Sequence, residues 1–323
     1  MGSRAERLAR HAILTAAESE RVGRVVSRHG MRLGARRFVP AENLDEIVAV
    51  MRDLNRGGMR GVTGLFDDHA RTEADVARHE AEYARQIDRL AGERLDANVG
   101  LKLTHLGIHV DPDLMFASTG RLLERAAGHG MRLRFDMEES DLVPATLGLY
   151  RRLRAAGTDN IGVVLQSYLR RSEDDLAELL PLGLNVRIVK GAYLEPAAVA
   201  YPDKRDVDAA YLRMLERCLD GAEFTAIATH DAAIVAAAQV AIRRREVAHE
   251  RFEFQMLYGI ASAFQRRIVS DGYPLRIAAP YGPTWFAYLM RRLAERPANL
   301  AFFVRHAFCA NLGMPGGRRR GGA

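Results

Sequence analysis

Leu184-Asn185-Val186-Arg187-Ile188-Val189-Lys190-Gly191-Ala192-Tyr193 decides how this chain folds. Residues 184–190 form a short, largely β-branched run, and a helical pattern follows from Asp206 to Leu219. The same alternation continues in both directions. Runs of this kind stand at 61–67, 97–104, 132–137 and 161–167 before it, and at 223–229, 251–257 and 274–280 after it. A helical pattern such as Asp231 to Val247 separates each from the next. Eight strand-helix units within about 240 residues predict a (β/α)8 TIM barrel, and near-continuous apolar strands suit a parallel sheet buried on both faces. A doubly wound sheet is the alternative. No Gly-x-Gly-x-x-Gly follows any strand, so a dinucleotide would need another type of site.

The 323 residues carry a formal charge of +6, and the excess is almost entirely arginine; the only lysines are Lys102, Lys190 and Lys204. The arginines are interleaved with acids, the pattern of a solvated surface rather than of a nucleic-acid face. The longest apolar stretch, around Ala232 to Ile242, is too short to span a bilayer, and the N-terminus has no apolar signal core. A cytoplasmic protein is expected, with Cys218 and Cys309 as structural residues in a reducing compartment. Helical patterns over 1–38 and from Asn43 to Leu54, the second stopping at Gly57-Gly58, predict an N-terminal helical extension over 1–58 packed on a catalytic barrel over 59–310. Residues 311–323, with Arg318-Arg319-Arg320, read as a disordered basic tail. The helix around Arg4 to Val26 is the one candidate for peripheral association with the inner face of a membrane, although packing on the barrel is the commoner use of such a face.

Barrel enzymes place their chemistry where strands end, and there the unusual residues of this chain collect. Lys102 closes strand two; Arg134, Asp136 and Glu138 lie along strand three; Gln166 and Tyr168 follow strand four. Arg187, Lys190, Gly191 and Tyr193 belong to strand five, Thr229, His230 and Asp231 to strand six, Gln255, Leu257 and Tyr258 to strand seven. A charged or amide group inside an apolar strand is unfavourable unless paired. Each has a structural reading: Gln166 and Gln255 as satisfied core amides, His230 as the cap of the helix starting at Asp231, Asp136 as the partner of Arg134 or of a neighbour. Six strand ends together point to a site. Gly191 permits close approach of a large flat ligand, bordered by Tyr193. The carboxylates and His230 lack the clustering that a metal needs. After Pro280-Tyr281-Gly282, Trp285 and Tyr288 form an aromatic helix face. Tyr288, Arg291, Arg292 and Glu295 recur at spacings of three and four, a face able to clamp an anion.

Taken in order, Lys102-Leu-Thr, Asp136-x-Glu138, Gln166-x-Tyr168, Arg187-Ile-Val-Lys190-Gly191-Ala192-Tyr193, Ala-Thr-His230-Asp231, Phe254-Gln255-Met-Leu257-Tyr258-Gly259, Pro280-Tyr281-Gly282 and Tyr288-x-x-Arg291-Arg292-x-x-Glu295 resemble FAD-dependent proline dehydrogenase. The resemblance covers about residues 60 to 297, and the short chain is similar to the bacterial monofunctional form without a fused aldehyde dehydrogenase domain.

That resemblance implies a distorted barrel with FAD over the C-terminal strand ends, held by Gln166, Arg187, Lys190, Gly191, Ala192, Thr229, His230, Asp231 and Gln255. It implies a substrate pocket of Lys102, Asp136, Leu257, Tyr288, Arg291 and Arg292, braced by Glu295. The implied reaction is oxidation of L-proline to 1-pyrroline-5-carboxylate, with a quinone as final acceptor. Two departures bear on specificity. The family usually has Leu-Gly-Glu after strand one, its acid pairing with the strand-two lysine; here the chain reads Leu65-Phe66-Asp67-Asp68-His69, with Asp67 or Asp68 as the replacement. The family often has an aromatic two residues before the strand-eight proline, where this chain has Ala278. A pocket widened at Ala278 would discriminate less against hydroxyproline, so a dehydrogenase of another cyclic or secondary amino acid is the alternative. A non-catalytic nucleic-acid-binding module is the rival from a different class.

Overall fold

In the computed structural model, which describes residues 35–286 and 288–290, eight parallel strands close into a barrel in chain order. They are β1 Arg60–Thr63, β2 Ala97–Leu101, β3 Leu133–Phe135, β4 Ile161–Gln166, β5 Asn185–Val189, β6 Phe224–Ala228, β7 Phe252–Leu257 and β8 Leu275–Ala278. Closure comes from β1 against β8, with Val62 opposite Ala278. Each strand falls within the run predicted for it, give or take a residue. The predicted 97–104 run is cut short because Lys102 leads from the strand into a one-turn helix.

The described helices are α1 Leu44–Arg56, α2 Glu73–Gly92, α3 Leu103–Leu106, α4 Pro112–Ala127, α5 Val143–Ala155, α6 Ser172–Leu179, α7 Lys204–Gly221, α8 Ala232–Arg244 and α9 Ser262–Ser270. Local chemistry sets their starts. Asn43 accepts from the Glu46 N–H, Thr72 and Asp75 form a capping box, and Asp111 accepts from two amides ahead of Pro112 at the first turn. α1 buries Ile47, Val48, Met51 and Leu54, and Met51 packs so near Gly61 of β1 that any Cβ there would collide with it.

Side chains alternate along each strand, which sorts the core into two layers. Val99, Leu101, Phe135, Val163, Ile188, Ile227 and Phe254 join the large apolar cluster that includes the buried faces of the helices. At the alternate positions the chain places Arg134, Asn185, Arg187, Glu253, Gln255 and Arg276. They pair with one another: Arg134 donates to Asn185 Oδ1 at 2.6 Å, Arg276 meets Glu253 at 2.8 Å and Gln255 donates to Glu253 at 2.7 Å. Burial pulls the Arg134 guanidinium down to about 9. For Glu253 burial acts upward, but the charge and hydrogen bond of Arg276 hold the carboxyl below its ordinary value.

Cys218 is buried in α7, and that burial pushes its thiol up to about 12, which suits a structural role. Cys309, the helix expected over Arg4 to Val26 and the 311–323 tail lie outside the described residues. Among those described, no helix is long and apolar enough to cross a membrane, and no His, Cys, Asp or Glu cluster fits a metal ion.

Candidate active site

The C-terminal strand ends surround a cavity of about 500 Å³. Lys102, Asp136, Leu257, Ala278 and Tyr288 line it, together with Gln166, Arg187, Lys190, Gly191, Ala192, Tyr193, Thr229, His230 and Gln255. Thus every described candidate from the sequence reaches one cavity except Asp231, which stands behind Lys190. Arg291, Arg292 and Glu295 lie outside the described residues.

The strands position these groups by period and by partner. Gly100, Lys102, Asp136, Gln166, Arg187, Gln255, Leu257 and Ala278 occupy inward positions at successive strand ends. Arg187 is the neighbour that pairs with Asp136, donating to its Oδ1 at 2.6 Å, whereas Arg134, the other partner open to that acid, turns to Asn185. Arg134 belongs to a deeper layer, one full side-chain period below Asp136.

Lys190 sits between two carboxylates, 2.5 Å from Asp208 and 2.8 Å from Asp231. Lys204, at the start of α7, contacts the same pair, 2.9 Å from Asp231 and in direct contact with Asp208. Partial burial lifts the Asp231 carboxyl, but the hydrogen bonds from Lys190 and Lys204 outweigh it and hold the group well below the ordinary carboxylate range. Asp231 also caps α8 by accepting from the Ala233 N–H. The structural reading of His230 as that cap does not hold, since Asp231 makes it, and His230 accepts from the Leu257 N–H through Nε2 at 3.0 Å. That bond ties β6 to β7 at the cavity edge.

The two glutamines are half satisfied. Gln166 donates to the Glu138 carbonyl at 3.2 Å and Gln255 to Glu253, but among the described residues neither carbonyl oxygen has a partner, and neither does Arg187 Nε. Buried polar atoms are rarely left so. Gly191 has φ +111°, and a Cβ there would lie 2.1 Å from the Tyr168 ring. Glycine is required at this point by both backbone and space.

Of Asp67 and Asp68, the two acids offered as partners of Lys102, Asp67 makes ion pairs with Arg78 at 2.7 Å and His79 at 3.1 Å of α2, and neither lines the cavity that Lys102 lines. Glu138 is the acid whose charge Lys102 feels. Burial raises the Glu138 carboxyl, and bonds from Thr104 and the charge of Lys102 oppose the rise. Behind Lys102, the Tyr83 hydroxyl accepts from the Lys102 N–H and reaches His105 Nδ1 at 2.9 Å. Burial, then the Lys102 charge, pull His105 down to about 3, so the ring is neutral at working pH.

The sequence marks Glu138 at the end of strand three without giving it a role in the site, and does not single out Phe66 or Asp208 as site residues. Glu138 lies two residues past Asp136, so the strand-end rule that found Asp136 also finds it. Asp208 sits inside a helical pattern, and Phe66 in an apolar run, where neither carries a signal of its own.

A family model described as proline dehydrogenase matches residues 47–305. Proline dehydrogenase 1 of Bacillus subtilis is 34% identical over 296 residues, covering 92% of this chain and 98% of that protein. Proline dehydrogenase of Deinococcus radiodurans is 36% identical over 304 residues, covering 93% and 98%. The crystal structure of proline utilization A from Bdellovibrio bacteriovorus, inactivated by N-propargylglycine, superposes with a TM-score of 0.79 over 95% of this chain and 38% of that one. At 22% identity that likeness is one of fold. With the family model and these relatives spanning most of its length, the chain belongs to the proline dehydrogenase family.

Proposed function

We propose that this protein oxidises L-proline to 1-pyrroline-5-carboxylate, with FAD as hydride acceptor and a quinone as the onward acceptor, in the catabolism of proline. The carrying observation is the single cavity at the C-terminal strand ends. It brings Arg187, Lys190, Gln166 and Gln255 together with Lys102, Asp136, Leu257 and Tyr288 in a chain of this family.

The residues fit a flavin. The pyrimidine edge of an oxidised isoalloxazine presents one N–H donor between two carbonyl acceptors, groups that suit an orphan amide oxygen such as that of Gln166 or Gln255 and the orphan Arg187 Nε. Gln166, Arg187, Lys190, Gly191, Ala192, Tyr193, Thr229, His230 and Gln255 would hold the cofactor, with Asp231 bracing Lys190. When bound, FAD supplies a hydride acceptor at N5. Arg187 and Lys190 place positive charge where it favours the reduced, electron-rich state. Asp136 fixes Arg187, while Asp208, Asp231 and Lys204 fix Lys190.

On the substrate side, Tyr288 and Leu257 wall the methylenes of the proline ring. Arg291 and Arg292, taken from the sequence, hold its carboxylate bidentately and contribute mainly by orientation, with Glu295 as countercharge. Lys102, set beside Glu138, acts as an electrostatic partner. In this reading the barrel over 59–310 is the catalytic unit of a cytoplasmic enzyme, and the stretch Arg4 to Val26, whose sequence carries a helical pattern, is the candidate to meet a quinone-bearing membrane surface. Ala278, which offers only a methyl group to the cavity, supports a second reading in which a ring-substituted proline is also accepted.

Trapping the product tests the reaction. o-Aminobenzaldehyde added to enzyme, proline and an artificial acceptor should give the coloured adduct of a pyrroline. Acceptor reduction without that adduct would mean a different bond is oxidised.

A further inference from the structure

We infer that Phe66 determines substrate specificity: its ring closes the substrate side of the cavity that Ala278 leaves wide, and it discriminates against a proline carrying a ring hydroxyl. The inference rests on the proposed substrate and adds a residue to it. Phe66 lines the same cavity as Ala278, Leu257 and Tyr288 and is 6% exposed. Its ring lies 4.6 Å from that of Tyr288, tilted by 39°. Phe66, Tyr288 and Trp285 belong to one apolar cluster, on which Leu257 packs.

The ring is held by its backbone. Phe66 N–H donates to the Tyr281 carbonyl at 2.7 Å, where β1 and β8 leave the barrel side by side. The Phe66 carbonyl packs so tightly on Gly282, φ +141°, that a Cβ there would lie 2.2 Å from it. The next residue is pinned as well. Because the Tyr83 hydroxyl accepts from Lys102 N–H, its own proton goes to His105 Nδ1, and His105 then donates through Nε2 to the Asp67 carbonyl at 3.2 Å. His79 sits between the His105 carbonyl at 3.2 Å and the Asp67 carboxylate at 3.1 Å. His79 thus bridges the residues on either side of this contact, His105 and Asp67. The backbone is thus held on both sides of the Phe66 Cα, and the ring itself is backed by Tyr288 in the cluster that holds Trp285.

Ala278 of β8 offers the cavity only a methyl group, and Phe66, which follows the adjoining β1, supplies a ring to the same cavity. An aromatic face offers a ring hydroxyl no hydrogen-bond partner, so burying the hydroxyl there is unfavourable.

The test compares kcat/KM for L-proline and trans-4-hydroxy-L-proline in the holoenzyme and in Phe66→Ala, Phe66→Leu and Phe66→Gly/Ala278→Tyr. Phe66→Ala is expected to raise the hydroxyproline-to-proline ratio on the order of tenfold, chiefly through KM for hydroxyproline. Phe66→Leu should give a smaller rise, and the double variant should return the ratio toward that of the wild type. A ratio within about twofold of wild type in Phe66→Ala, or in Phe66→Leu should the alanine variant not fold, overturns the inference. Wild-type protein that does not oxidise proline overturns the proposed substrate instead, a separate result.

Discussion

Arg187 of β5 and Asp136, just past β3, meet at 2.6 Å across β4, which lies between them in the barrel. The pair joins two walls of the cavity through one hydrogen bond. Arg187 is 14% exposed and Asp136 32%, so water screens the acid only in part. Asp136→Ala would leave Arg187 without its countercharge. The expected cost is about 1–3 kcal/mol, below that of breaking a fully buried pair, with kcat/KM for proline down on the order of a hundredfold. Urea denaturation and steady-state kinetics read both; near-wild-type values would mean the pair is idle.

Gly191→Ala meets two obstacles at once, the φ of +111° and the Tyr168 ring 2.1 Å from the new Cβ. A loss of about 1–3 kcal/mol is expected from the backbone alone, with flavin occupancy reduced more than for any conservative change on the substrate side. Thermal melting and the ratio of visible to ultraviolet absorbance of the purified variant measure the two effects. An alanine variant that binds flavin like wild type would show that the turn adapts.

The Lys190–Asp231 pair predicts a pH dependence. The folded carboxyl of Asp231 lies below its ordinary value of 3.8, so its contribution is fully present above about pH 5 and is lost as pH falls below about 4. Asparagine still caps α8 but cannot carry the charge. Asp231→Asn should therefore melt lower than wild type at neutral pH, and the two melting curves should converge on acidification. A gap in Tm that does not change down to about pH 3 would assign the loss to packing instead.

The carboxylate clamp is tested on Arg291 and Arg292 one at a time. Replacement by Met keeps the length of the side chain and removes the bidentate fork. Either variant should lose most proline turnover while retaining much of its flavin. A kcat/KM near that of wild type would show that the clamp is misassigned.

The barrel was legible because buried parallel strands must be short, apolar and separated by helices, and eight such runs leave few alternatives. The site was legible for a related reason: Lys102, Asp136, Gln166, Arg187 and Gln255 are polar groups on strands that otherwise exclude them. Pairing was less so. Asp136 bonds Arg187 rather than Arg134, because closure of the barrel, and not nearness in the chain, sets which inward positions share a layer. His230 lost its capping role to Asp231 through a contact with Leu257 that no local pattern encodes. Phe66 lies in a run whose apolar character already had an explanation in the core, so its place in the cavity wall showed only once β1 and β8 were side by side.

The central claim, that the cavity holds a flavin reduced by proline, is met most directly by one anaerobic titration. The purified protein, loaded with FAD if necessary, is followed in the visible as L-proline is added. The flavin absorbance should bleach with saturation in proline and return when an acceptor is admitted. A protein that cannot be reconstituted with FAD, or whose bound flavin stays oxidised at saturating proline, would contradict the claim.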